Sequence, residues 1–555
     1  MHDLVIRGGA IIDGSGGPAR TGDVAIDDGR ITALGEGVGA AKREIDADGL
    51  LVTPGFVDVH THYDGQVSWD SDLAPSVYHG VTTVVMGNCG VGFAPVAPER
   101  QEWLIGLMEG VEDIPGTALY EGIDWAWESF PEYLDAIAAK PHSIDYAAQL
   151  PHGALRAYVM GERGADHTEA PSDEEIATMA RLAREAMQAG AVGFTTSRTV
   201  NHKDKNGRHT PSLTAPAEEL WGIVAGMGEA GRGAIEIVTD FVDHDSEFAM
   251  IREMAARSGR PLSVSLLQSD KRPDQWRDTM AQIEAANAAG VHMRAQVAPR
   301  PVGVMMSLES TLNPFVIHPS YQSVAALDIP ERVHKLRDPA LRAKLLEEAA
   351  GKAMFDWTLT FPFGDACDYE PLPEDSVAAR AERAGVSPAE VALDVLLERD
   401  GHGILYYAAL NYAERNSDVS REMLLHPHTV SGLGDGGAHV SFISDASFPT
   451  YMLSHWGRDR SRGEKLPLEL LVKKQTRDTA ELVSFTDRGL LAEGMKADVN
   501  VIDFEALALR MPEMWKDLPA GGNRLVQRAD GYRYTLVSGE VAVEDGELTG
   551  VMAGG

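Results

Sequence analysis

The feature that most constrains this chain is the alternation, through its middle, of helix-period segments with short apolar runs. Ser172-Asp173-Glu174-Glu175 reads as a capping box, with Ser172 as N-cap and Glu175 reaching back. The apolar series Ile176, Met179, Ala180, Ala183, Met187 then recurs at helical spacing until Gly190 ends it. The short run Ala191-Val192-Gly193-Phe194 follows. The same pairing of helix and apolar run recurs over 217–231 and 234–238, 246–259 and 262–267, and 274–290 and 291–297. Buried strands separated by helices imply βα units and a parallel sheet. Candidate strands begin near 56, 82, 144, 191, 234, 262, 292 and 429, which fits an α/β fold of the (β/α)8 barrel kind. In such a barrel the active residues stand at strand carboxyl ends. The last gap is long and holds another helix, opened by Ser387-Pro388 as N-cap and N1. An insertion at about 305–425 is therefore expected to cover the barrel mouth.

The two ends read differently. Leu4–Arg7 leads to Gly8-Gly9, Ala10–Ile12 to Asp13-Gly14, and Val24–Ile26 to Asp28-Gly29, so each is expected to be a short strand ending in a turn. Residues 497–503, 534–539 and 541–546 repeat this texture. The expectation is one small β domain built from 1–54 and 486–555, flanking a barrel over 55–485.

Charge narrows the function classes. Lys and Arg number 49 against 84 Asp and Glu, a net of −35. Nucleic acid needs cations that displace counterions, and anionic lipid needs them too, so both partners are excluded. No apolar run is long enough to span a bilayer, and the N-terminus lacks the basic start and apolar core of a signal peptide. With only Cys89 and Cys367, no disulfide framework is available, and a cytoplasmic protein is expected. A homo-oligomer is left open.

The strongest local signal is Gly55-Phe56-Val57-Asp58-Val59-His60-Thr61-His62. Period two puts both imidazoles on one side of the strand, where they would project together into the mouth and ligate a divalent metal. With its neighbours Thr53-Pro54, this stretch resembles the first-strand signature of the amidohydrolase superfamily. The segments Val5–Gly9 and Gly494–Val499 resemble that family's flanking β domain. Met86-Gly87-Asn88-Cys89-Gly90 with Ala94-Pro95, Gln149–Arg156 and Gly190–Thr196 are similar to landmarks of its D-aminoacylase branch, the N-acyl-D-amino-acid deacylases. The resemblance implies that Cys89 is a metal ligand. A thiolate beside a divalent cation is deprotonated outright, and its softness favours zinc. Val430–Gly437 resembles the eighth-strand Ser-Asp-Gly of the family, so Asp435 is implied as metal contact and as general base on a metal-bound water attacking the carbonyl. His439 would contact the same substrate. Cys367 is assigned nothing.

The chain departs from that branch at two places. Where the branch has a histidine after strand five this sequence has Asp240, and after strand six it has Leu266, which cannot ligate. Either the ion is held by His60, His62, Cys89 and Asp435, with Asp240 as a further candidate, or another histidine substitutes. His202 (also a candidate substrate contact), His209 and His244 are the candidates. A zinc site needs about three protein ligands and a water position. One ion meets that minimum; support for a second is thin.

For the substrate, Arg300 after strand seven and Arg198 after strand four are the candidate forks for a carboxylate. Phe361, Phe363, Tyr406, Tyr407 and Tyr412 in the insertion read as core before they read as a pocket. The leading expectation is a metal-dependent hydrolase of a linear amide in a small N-acyl amino acid. A cyclic-amide hydrolase usually carries a carboxylated lysine on strand four, where this chain has Thr195, Thr196 and Ser197, with Lys203 only beyond. A barrel that has lost its chemistry and serves as a scaffold is the third reading.

Overall fold

A computed structural model describes all 555 residues. Eight parallel strands follow one another in chain order around the centre: Phe56–Asp58, Val81–Met86, Asp145–Pro151, Gly193–Arg198, Ala234–Thr239, Leu262–Ser265, Met293–Val297 and Thr429–Ser431. Each begins within two residues of the position expected from the sequence. Their side chains are almost wholly buried, because helices cover the outer face of a parallel sheet. The capping box is formed as read: Ser172 Oγ accepts from Glu175 N at 3.3 Å, and Glu175 Oε2 accepts from Ser172 N at 2.7 Å, opening the helix Asp173–Ala189.

The first and eighth strands share no ladder, so the barrel is nearly closed rather than closed. The seam is joined at the mouth. Asp435 N donates to His60 O at 3.0 Å, and His62 N donates to Gly436 O at 2.7 Å. Lower down, Val57 N donates to Gln475 O at 2.9 Å. The bonds that close the barrel thus bring the chain after strand eight over the chain after strand one.

Both termini enter one nine-stranded sheet. Val499–Ile502 pairs antiparallel with Leu51–Pro54, which joins the C-terminal strands to the N-terminal ones. The Gly8-Gly9 expectation is corrected here. His2–Ile11 is one continuous strand with a register shift between Ile6 and Gly9, and Gly8 sits at φ 68. A glycine pair can absorb an extra residue as a bulge, and neighbours on both edges of the strand keep it from turning back. Asp28-Gly29 does form the expected turn, at φ 48 and 72, between Arg20–Asp27 and Arg30–Gly35.

Between strands seven and eight the chain builds a three-stranded sheet, ordered Val302–Met306, Ile404–Leu410, Thr360–Phe363, with helices that include Pro388–Leu396. This insertion has a small core of its own around Leu336, Leu393 and Leu405. Phe361, Phe363, Tyr406 and Tyr412 are buried in the main core, as packing predicts, and Tyr407 is half-buried.

Candidate metal centre

His60 and His62 leave the first barrel strand on the same side, their rings edge-on with centroids 5.5 Å apart. Cys89 follows the second strand in a tight turn, at φ 55 between Gly87 at 86 and Gly90 at 69. A Cβ on Gly87 would lie 2.3 Å from Gln149 O, so only glycine permits this turn to sit against strand three. The ligand atoms of His60, His62 and Cys89 lie within 4.8 Å of one another, and all three side chains are buried. Cys89 Sγ is 3.4 Å from His60 Nε2. Asp435, at φ 46 just past the eighth strand, places Oδ1 at 3.3 Å from His60 Nε2 and 3.5 Å from His62 Nε2. Four donors from three strand ends therefore converge.

Three of the four donors have partners behind them. Gln296 Oε1 can only accept, so its 2.8 Å contact puts the proton of His60 on Nδ1 and leaves Nε2 facing the group. Gln296 is itself fixed by donating to Ser263 Oγ at 3.0 Å. Glu112 has one carboxylate oxygen 3.4 Å from His62 Nδ1 and the other 3.5 Å from His439 Nε2. Neither Glu112 Oε1 nor His62 Nδ1 has a hydrogen-bond partner, so the 3.4 Å contact between them is one of proximity. Glu236 Oε2 accepts from Cys89 N at 3.0 Å. Gln296 and Glu236 are missed by sequence reasoning, their one signal being a polar residue inside an apolar strand, Ala295-Gln296-Val297 and Ile235-Glu236-Ile237. Glu112 ends a helix and carries no sequence signal.

Burial and mutual repulsion push these acids up. Burial first, then the nearby Glu236, Glu112, Asp435 and Asp64, holds the Cys89 thiol well above its ordinary range. Burial and then Asp435, Asp64 and Glu236 do the same to Glu112. Asp64, buried and bonded by Gly87 N, is raised to about 7, burial being the main cause. Burial would raise Asp435 too, but its bond to His62 and the nearby histidines hold it below the usual range. Burial lowers His62, takes His439 to about 4 and, with the histidines around it, takes His202 to about 3.

A thiol and four carboxyls thus share one buried region, and no lysine or arginine pairs with any of them. That donor set, two unprotonated imidazole nitrogens plus thiolate and carboxylate, fits a divalent cation, which would let these acids ionise together.

The other predicted residues are placed as follows. His439 adjoins the group through Glu112. His202 Nδ1 contacts Ser197 Oγ at 2.9 Å, and the ring lies near enough to His439, His62 and Asp435 for their charges to act on it. Asp240 lies apart from the converging donors: its Oδ2 accepts from Val200 N at 2.9 Å. His244 Nε2 is engaged with Thr279 Oγ1 at 2.9 Å. Each arginine has an acidic partner, and Arg300 is closed off from solvent as well. Arg300 is wholly buried, bonded to Asp445 at 2.9 Å and stacked 3.5 Å over the Tyr369 ring. Arg198 is forked onto Glu247, with a further bond to Ala215 O at 2.8 Å. In both cases an acid distant in sequence pairs with the guanidinium, and in Arg300, closed off from solvent, Nε and Nη1 have no hydrogen-bond partner. Beside the metal group a cleft of about 760 Å³ opens over strands four to six, lined by His202, Asp240, Ser265, Leu266 and the insertion's Tyr407.

Barrel and donor set together define a metal-dependent hydrolase. The family model described as the amidohydrolase family matches residues 43–543, and the chain belongs to that family. Within it the relatives place the chain on the D-aminoacylase branch. It is similar to D-aminoacylase of Alcaligenes xylosoxydans xylosoxydans, with 29% identity over 561 residues, covering 100% of this chain and 96% of that one. N-acyl-D-glutamate deacylase of the same organism is 29% identical over 519 residues, covering 92% and 88%. Among solved structures, N-acyl-D-glutamate deacylase from Bordetella bronchiseptica, complexed with zinc and a phosphonate inhibitor, aligns with a TM-score of 0.63 and 25% identity over 100% of this chain and 99% of that one. A D-aminoacylase crystal structure shares the fold at a TM-score of 0.66. No helix is long and apolar enough to cross a membrane.

Proposed function

We propose that the chain hydrolyses the linear amide of a small N-acyl-D-amino acid, using zinc held by His60, His62 and Cys89 with Asp435. The observation that carries this reading is the convergence of four donors at the mouth, with Asp435 Oδ1 within 3.5 Å of both imidazole nitrogens. The relatives named for D-aminoacylase and N-acyl-D-glutamate deacylase supply the substrate class. A divalent ion in such a site polarises an amide carbonyl and acidifies water. The residues supply the rest. Asp435 Oδ1 is held ionised by its histidine neighbours, so it can take a proton from the attacking water. The same oxygen then returns that proton to the departing nitrogen. His439, kept neutral by burial, can accept or donate one hydrogen bond to the substrate from the rim of the site. Strand four offers Thr195, Thr196 and Ser197 at its mouth, so a cyclic-amide chemistry built on a carboxylated lysine lacks its residue.

The test is a screen of N-acyl-D- and N-acyl-L-amino acids with zinc- or manganese-loaded protein. Hydrolysis of the D series is expected, and Asp435→Asn should lower kcat by about 10²–10⁴-fold, the usual worth of a positioned base. Silence on both series, in protein that retains no transition metal, would sink the proposal.

A further inference from the structure

Strands five and six carry no metal ligand, yet both reach the metal group. Glu236, on strand five, is 1% exposed. Its two oxygens have separate partners. Oε2 accepts from the main-chain N–H of Cys89 at 3.0 Å, and Oε1 accepts from Ser265 Oγ, on strand six, at 3.2 Å. Cys89 occupies the left-handed region, which a residue with a side chain adopts only when its surroundings over-determine it. Thr195 Oγ1 holds the turn from strand four, accepting from Gly90 N at 3.0 Å and donating to Gly87 O. Asn88 donates to Thr61 O at 3.0 Å and accepts from Gln149 Nε2 at 2.9 Å. Among these contacts only that of Glu236 acts on Cys89 itself.

We propose that Glu236, braced by Ser265, is the positioning residue for Cys89: it fixes the N–H of the ligand in a strained turn and so aims Sγ at the ion shared with His60. Strands five and six thereby contribute support to the one thiol ligand rather than ligands of their own. A carboxylate suits the place because it accepts from two directions at once, whereas any apolar residue leaves the Cys89 N–H buried without a partner. Outer partners of this kind are worth about 10–100-fold in metal affinity. The inference rests on the metal reading of the site.

The experiment loads the apoprotein with cobalt(II) and reads two signals: the thiolate-to-cobalt charge-transfer absorbance, and zinc affinity by chelator competition. Wild type should show the thiolate band, and Cys89→Ser should lose it. Glu236→Leu should weaken the band and lower zinc affinity by about 10–100-fold, whereas Glu236→Gln, which keeps an acceptor, should restore most of both. If Glu236→Leu does not fold, Ser265→Ala carries the test, with affinity expected to fall about fivefold for the loss of roughly one hydrogen bond. A full-strength band and wild-type affinity in Glu236→Leu, or in Ser265→Ala where that stands in, would overturn the proposal. So would equal losses in Glu236→Gln and Glu236→Leu, since charge rather than hydrogen bonding would then be at work. Absence of the band in wild type would instead refute the metal reading beneath it.

Discussion

Arg300 decides whether the barrel mouth recognises a substrate carboxylate through the fork that the sequence suggested. In the structure its guanidinium is fully buried, donates from Nη2 to Asp445 Oδ1 at 2.9 Å and Ser444 O at 3.2 Å, and stacks on Tyr369. Asp445 is 4% exposed, and burial raises its carboxyl to about 7 despite the arginine. Arg300→Met keeps most of the volume and removes the charge, leaving Asp445 buried without a partner. Breaking one side of a buried pair costs about 3–5 kcal/mol when the remaining group keeps its charge, so the full loss is expected above pH 7, where Asp445 is ionised. The cost should shrink at acidic pH, where Asp445 takes up a proton. Replacing both members, Arg300→Met with Asp445→Leu, should recover most of the loss, because an apolar pair needs no desolvation offset. Denaturant unfolding gives the stabilities, and kinetics on an N-acyl amino acid gives KM. The single variant should lose much of its stability and keep a KM within about twofold of wild type where the protein is folded. A single variant as stable as wild type, with KM raised tenfold or more, would refute the buried-pair role and return Arg300 to the substrate.

Two further outcomes follow from neighbouring groups. Gln296→Met removes the acceptor that sets the His60 tautomer and should lower zinc affinity by about 10–100-fold in chelator competition, with the cobalt–thiolate band retained because Cys89 is untouched. Glu370 is 2% exposed; burial would raise its carboxyl, but bonds from His455, Arg460 and the Ser417 N–H hold it at about 2 against an ordinary 4.5. A depressed carboxyl stabilises the fold above pH 4.5 and loses that contribution as pH falls toward 2, here up to about 3 kcal/mol. Acid unfolding of Glu370→Gln should therefore be shallower over that interval than wild type, and parallel curves would count against the network that ties the insertion to the barrel through Arg460.

Periodicity carried the barrel a long way. Spacing of 3.6 and 2 is written in the chain itself, so the starts of the eight strands and the helices over 173–189, 217–230, 244–258 and 275–288 could be read to within a residue or two, whereas Gln101–Glu112, Phe130–Ala138 and His152–Met160 were not read. Gly8-Gly9 misled because a glycine pair serves equally as a turn or as a bulge, and only the strands on either side choose between them. Among the site residues, His60, His62, Cys89 and Asp435 stood out by motif and do converge. Asp240 shared their kind of position after a strand, yet its carboxylate turns to the Val200 amide.

What the sequence determined by itself was the fold class and the chemical kinds of donor at the strand ends, because both are local properties of spacing and residue type. Only the tertiary structure decided which charged groups remain available. Arg300 and Arg198 are paired with Asp445 and Glu247, 145 and 49 residues away. Glu112, Glu236 and Gln296 become part of the candidate metal site because helix and strands bring them behind the converging donors. In a buried site a charge must find a partner, and the partner is chosen by proximity in space, which the order of residues along the chain does not reveal.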